Sequence, residues 1–309
     1  MRLRMVALAA AVAALAGCGG GGEKTPAATQ TREITHAMGT TRVPAQPTRV
    51  VVLDTDKVDT ALSLGVVPVG AARADQLTGW PAYLGDRTKS MKDVGTLQEP
   101  NLEAIAGLNP DLILGSKFRQ EKFYDELSRI APTVFTEQVG QTWKANFLLD
   151  GTALGKEQEA RKLLDEYTAR AKDLGATLGD PAKVKVSIVR FMPTEIRVYG
   201  PESFSGIVLA DVGLGRPDRQ LLTGRTERRF DRVSPERVAE VDGDVIFVAA
   251  YGEKAAAQQA QTTAGPLWQG LGAVKAGKAY VVPDETWMTG IGVTAAGKIL
   301  DDLAARLAP

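Results

Sequence analysis

Cysteine and histidine are almost absent from this chain: its 309 residues carry Cys18 and His36 and no other of either type. Each absence excludes chemistry. A single thiol forms no intramolecular disulfide and no redox pair. Zinc and manganese sites need several His, Cys or carboxylate ligands converging, and His36 cannot build one alone. A Ser-His-Asp device would depend entirely on His36, which sits in the alternating segment 34–39, read as an early strand or hairpin with a half-buried histidine. No Gly-x-Ser-x-Gly elbow occurs, because Ser203 and Ser205 lack the flanking glycines. An excess of one charge sign is missing as well. Lys+Arg and Asp+Glu balance at 37 each, so no net field points to nucleic acid or an anionic surface. Beyond the N-terminus, no apolar run is long enough to span a bilayer.

What is present begins at Cys18. Arg2 and Arg4 precede the apolar stretch 5–16, and Leu15-Ala16-Gly17-Cys18 ends it. A basic start, a short apolar core and a small-residue cleavage site make a secretory signal, with a core too short for a membrane-spanning helix. The ending is similar to a bacterial lipobox, which implies cleavage before Cys18 and lipidation of its thiol. Residues 1–17 are therefore read as a signal peptide. Residues 18–32, opening with Gly19 to Gly22 and holding little that can pack, are read as a lipidated flexible tether. The expected body is a water-soluble domain held at the outer face of the cell membrane.

That body has a regular pattern. Residues 49–53 form a continuous apolar run, the mark of a strand buried on both faces. Residues 57–64 have helical spacing and stop at Gly65. Segments 66–69, 111–114 and 133–135 read as strands, with helices from Asn101 and over 121–130 between them. A long charged helix over 156–178 breaks the rhythm, with Leu163, Leu164, Tyr167, Ala171 and Leu174 on one stripe. A second set follows: strands 184–191, 197–199, 245–249 and 279–282, and helices 204–212, from Ser234, and 293–307. Strands alternating with helices argue for parallel sheets. The expected fold is α/β, two lobes at 33–155 and 180–309 joined by a single long helix at 156–179.

Gly292-Val293-Thr294-Ala295-Ala296-Gly297-Lys298 has phosphate-loop spacing, but Ile299 stands where a Ser or Thr would hold magnesium. It reads as the start of the last helix. Asn101-Leu102-Glu103 and Ser234-Pro235-Glu236 each pair a helix-capping residue with a glutamate in the first turn. Two such outward carboxylates, one per lobe, suit basic pockets of a partner.

These motifs together carry a resemblance. Leu62-Ser63-Leu64-Gly65-Val66, Asn101 to Ile105, Asn109-Pro110-Asp111-Leu112-Ile113, Ser203-Phe204-Ser205-Gly206, Ser234 to Glu236 and Pro266-Leu267-Trp268 follow in an order that resembles the siderophore and vitamin B12 class of ABC-transporter substrate-binding proteins, over roughly residues 33–307. The resemblance implies a class III periplasmic-binding-protein-like fold and a non-enzymatic receptor with no cofactor of its own. Its partners would be an ABC permease dimer, docked through Glu103 and Glu236, and a ligand held between the lobes. The missing histidines leave iron chelates, haem or a corrinoid as cargo. In an iron chelate the siderophore already surrounds the metal, so the protein offers no metal ligand.

The cleft should then supply aromatic faces and cationic donors. Arg119 follows a strand's carboxyl end, where α/β sheets place ligands; Arg197 and Tyr199 alternate on one strand and so face one side. Trp287 lies where relatives place a stacking aromatic, and Trp80 and Trp143 complete the set; Trp268 reads as core. Arg225, Arg228, Arg229 and Arg232 are offset by Glu227 and Asp231 and read as a solvated loop. Few cleft arginines suit a ferric hydroxamate, and the segments around Lys57 and Arg197 resemble binders of the ferrioxamine kind. A haem or corrinoid binder is the nearer rival; an exported enzyme or an adhesion or sensor domain is the distant one.

Overall fold

Two five-stranded sheets flank one long helix in the computed structural model, which describes residues 30–308. The signal segment and Cys18 lie outside the described residues. The chain enters through an antiparallel hairpin, β1 (Thr31–His36) and β2 (Gly39–Pro44). Thr31 and Arg32, expected in the tether, therefore belong to the folded body, and Arg32 donates to the Thr152 carbonyl at 3.1 Å.

In the N-terminal lobe, β3 (Val50–Val52), β4 (Gly70–Arg73), β5 (Lys92–Thr96), β6 (Leu112–Ser116) and β7 (Thr133–Thr136) are all parallel, in the order β5-β4-β3-β6-β7. The chain runs outward from β3 to β5, then returns to β6 on the other side. Ligands gather at such a switch in strand order, beyond the carboxyl ends. β3 and β6 are buried throughout, which is why Val50–Val52 and the first three residues of β6 read as unbroken apolar runs. The strand expected at 66–69 instead pairs at Gly70–Arg73. Pro68 has no N–H to give a ladder, and Val67 is exposed.

The C-terminal lobe holds β8 (Val186–Phe191), β9 (Ile196–Tyr199), β10 (Phe230–Val233), β11 (Val245–Ala250) and β12 (Ala279–Val281), in the order β10-β9-β8-β11-β12. β8, β11 and β12 are parallel; β9 runs against both β8 and β10.

The joining helix, Glu157–Thr177, packs on both lobes. Ala160 belongs to the N-terminal core, while Tyr167, Ala171 and Leu174 belong to the C-terminal core. Gly175 passes so close to the Val212 carbonyl that a Cβ there would stand 2.3 Å from its oxygen. The lobes also share a plug. Asp59, on the buried helix Thr55–Ser63, accepts from the Thr294 and Ala295 amides at 3.0 Å each and from the Tyr83 hydroxyl at 2.8 Å. The last helix, Val293–Leu307, thus begins on a carboxylate from the other lobe. The phosphate-like segment has its helix N-terminus filled by the protein itself.

Other expectations shift locally. The helix expected over 121–130 is a 3-10 turn, Glu121–Phe123, followed by the helix Tyr124–Ile130, and a short helix Lys117–Gln120 precedes it. Asn101 caps its helix through the Ala104 amide at 2.9 Å, but Ser234 makes no such bond and starts the 3-10 turn Pro235–Val241. Helices Trp143–Ala153 and Gly252–Ala264 are absent from the sequence pattern described above.

Candidate ligand cleft

Every parallel strand of the N-terminal sheet delivers a residue to one cleft of about 440 Å³ between the lobes. Thr55 follows β3, Asp75 follows β4, Leu97 follows β5, Phe118 and Arg119 follow β6, and Gly140 and Gln141 follow β7. The facing wall comes from the C-terminal lobe. Arg190 and Met192 stand at the end of β8, Arg197 and Tyr199 on β9, Arg229 and Phe230 at the start of β10, and Tyr251 just past β11.

Arginines dominate the chemistry. Arg119 pairs through Nε with buried Asp54 at 2.9 Å, and Asp54 also accepts from Ser116 at 2.9 Å. Arg190 forks onto Asp284 at 2.5 and 2.7 Å, donates to the Tyr199 hydroxyl oxygen at 3.2 Å, and lies 4.7 Å over the Tyr251 ring. Burial works against its charge, but Tyr199 and Asp284 outweigh burial and hold its pKa above the ordinary value. Arg190 is consumed in orienting Tyr199, whose own hydroxyl proton stays available to a ligand. Arg197 pairs with Glu195 and stacks 4.2 Å over Phe230. Arg229 forks onto Glu227, holding that carboxyl below its usual range, and lies 5.5 Å over Phe118 of the other lobe. Phe118 is 49% exposed and offers an apolar face to the cleft.

Behind the N-terminal wall lies a second set of charges. Lys57 is fully buried and reaches Asp150 at 2.9 Å, Asp56 at 3.0 Å and Thr136 at 2.9 Å. Burial opposes its charge, yet the two carboxylates raise its pKa. Two carboxylates sharing one ammonium do not both ionise easily. Burial, relieved only in part by Lys57, raises Asp150 to about 7 and raises Asp56 too.

Of the sequence candidates, Arg119, Arg197 and Tyr199 line this cleft, the last two on one face of β9. The tryptophans do not. Trp287 is completely buried, stacked 4.4 Å from Phe247 with its indole N–H on Asp302 at 2.7 Å. The π-helical turn Glu285–Thr289 sends Met288 and Thr289 to the cleft and Trp287 to the core. Trp143 is buried edge-on between Tyr167 and Phe204. Half-buried Trp80 packs on the N-terminal core, and Trp268 is core. The solvated-loop reading also needs correction: Arg225 and Arg232 are exposed, but Arg229 faces the cleft because it opens β10 beside Tyr199. The sequence candidates omit Arg190, Arg229, Phe118 and Tyr251. The strand-end rule that selects Arg119 would have selected Arg190, Phe118 and Tyr251 as well. Glu103 and Glu236 are both exposed at the first turns of their helices. His36 accepts from the Met38 and Phe135 amides, and burial lowers its pKa.

Two α/β lobes meeting at strand ends across an arginine-lined cleft, with one helix between them, define a ligand-capturing receptor. The chain belongs to the periplasmic binding protein family, whose model matches residues 50–286. It is 41% identical to a Bacillus subtilis protein named as the probable siderophore-binding lipoprotein YfiY, covering 89% of this chain and 87% of that one. It is 31% identical to the achromobactin-binding periplasmic protein of Dickeya dadantii, covering 84% and 86%. The crystal structure of Staphylococcus aureus SirA complexed with staphyloferrin B superposes with a TM-score of 0.79 at 35% identity, covering 90% of this chain and 98% of that one.

Proposed function

We propose that this protein is the extracytoplasmic receptor of an ABC iron-uptake system and that its cleft takes an anionic ferric siderophore. The observation that carries the reading is arginine on both sides of one cleft. Arg119 on one lobe, and Arg197 and Arg229 on the other, spend only part of each guanidinium on their own lobe's carboxylates. Their remaining N–H groups suit the negatively charged oxygens of a hydroxycarboxylate chelate. Phe118, Phe230 and Tyr251 offer apolar faces to its organic shell. A ferric hydroxamate is neutral or cationic and needs one or two arginines, so the cleft supports an anionic chelate over the ferrioxamine kind expected from the sequence. The names of the relatives above support the siderophore class.

In this reading the chelator holds the iron, the protein supplies no metal ligand, and no bond is made or broken. Export, lipid anchoring at Cys18 and permease docking through Glu103 and Glu236 belong to the same proposal. Charge reversal of both glutamates should stop cellular uptake and leave ligand affinity intact. Calorimetric titration with ferric citrate, ferrioxamine B, haem and cobalamin tests the cargo. Ferric citrate should bind at least about tenfold tighter than cationic ferrioxamine B, equivalent to ~1.4 kcal/mol. Preference for haem or cobalamin would overturn the reading.

A further inference from the structure

Among the arginines that line the cleft or stand directly behind it at Tyr199, one has no carboxylate partner among the described residues. Each arginine that lines the cleft has a carboxylate of its own lobe: Asp54 for Arg119, Asp284 for Arg190, Glu195 for Arg197 and Glu227 for Arg229. Arg216 has none. It is 6% exposed, on the segment between the helix Phe204–Val212 and β10. Its Nη2 donates to the backbone carbonyl of Tyr199, a cleft residue, and to Gln220 Oε1 at 2.7 Å. Nε and Nη1 have no hydrogen-bond partner among the described residues. Gln220 is itself held by the Ile188 amide at 3.1 Å and by Ser187 at 2.6 Å, so the surroundings of the guanidinium are rigid and neutral. Burial alone acts on its pKa, lowering it to about 9, and the group remains charged at neutral pH.

A buried cation with neutral hydrogen-bond partners and no counter-ion is strongly unfavourable for folding. A purely structural tie to the Tyr199 carbonyl needs a donor, not a charge. We propose that Arg216 is a specificity-determining residue, an uncompensated positive charge set behind Tyr199 that favours anionic chelates over neutral and cationic ones without touching them. It acts through the low-dielectric wall, where a charge reaches farther than it does in water. The inference rests on the reading of the cleft as an anionic-chelate site.

Arg216→Gln removes the charge and leaves a shorter polar side chain; Arg216→Lys keeps the charge. Calorimetry with ferric citrate, neutral ferrichrome and cationic ferrioxamine B should show a loss that scales with ligand charge. Arg216→Gln should bind ferric citrate roughly tenfold more weakly and the other two no more weakly than the parent does. Arg216→Lys should stay within about threefold for ferric citrate. Should Arg216→Gln not fold, Arg216→Met is the second neutral variant, and its thermal midpoint should not fall below that of the parent, because an unpaired buried charge is gone. Equal losses for all ligands, or equal losses in the Gln and Lys variants, would make Arg216 a structural tie and overturn the inference. A parent protein that binds none of the ferric chelates would instead overturn the functional reading, and the inference with it.

Discussion

Behind its cleft wall the N-terminal lobe buries one cation, Lys57, between two carboxylates, whereas the C-terminal lobe buries Arg216 with none. Both arrangements sit one layer back from cleft residues, Thr55 in the first case and Tyr199 in the second. The first has carboxylate in excess and is held together by mutual attraction. The second has positive charge in excess and is tolerated only because the packing around Ser187 and Gln220 fixes it. Two buried sites behind one cleft, one on the helix after β3 and one on the segment before β10, thus carry opposite local charge. The N-terminal network is a matter of stability and the C-terminal cation a matter of what the cleft prefers.

The largest way to break this comparison is Lys57→Met. It strands Asp56 and Asp150 without their ammonium and should cost about 3–5 kcal/mol in chemical denaturation, the usual price of an orphaned buried charge. A loss below about 1 kcal/mol would mean that the carboxylates take up protons freely and that the ammonium is dispensable.

A smaller effect appears in pH. Asp150 is raised in the folded state, so the native protein binds a proton that the unfolded chain has released between roughly pH 4 and pH 7. The stability this group contributes is complete below its unfolded value and is lost as pH rises through about 7. The stability of the parent relative to Asp150→Asn should therefore fall across that window, by on the order of 1 kcal/mol per pH unit. Urea titrations of both proteins at several pH values measure it, and a flat difference would show that Asp150 is ionised throughout. The smallest effect belongs to Trp287→Phe. Losing the indole bond to Asp302 should lower stability by about 1–2 kcal/mol and leave ligand affinity unchanged. A loss of affinity would return the tryptophan to the ligand site.

Much of the architecture is written in the sequence because parallel strands buried on both faces, such as β3 and β11, are near-continuous apolar runs. The joining helix is legible for the opposite reason: its polar face is long and its buried stripe narrow. The helix Trp143–Ala153 was hidden because Phe147, Leu148 and Leu149 are consecutive and no stripe emerges; buried Asp150 sits among them to meet Lys57. Side-chain direction at the cleft was the least legible feature. Trp287 and Met288 are neighbours in one core, yet only Met288 also reaches the cleft, and the phase of a five-residue turn decides which. Arg229 was similarly ambiguous, since a run of arginines beside acids looks solvated until β10 is placed against β9.

The central claim is that both lobes grip one anionic chelate, through Arg119 on one side and Arg229 on the other. A double-mutant cycle with Arg119→Gln and Arg229→Gln, read as calorimetric affinity for ferric citrate, tests it most directly. Each variant should weaken binding by about 10- to 100-fold, the loss of a charge-assisted hydrogen bond worth ~1.5–3 kcal/mol. An unchanged affinity in either single variant would show that one lobe alone holds the ligand and would contradict the account.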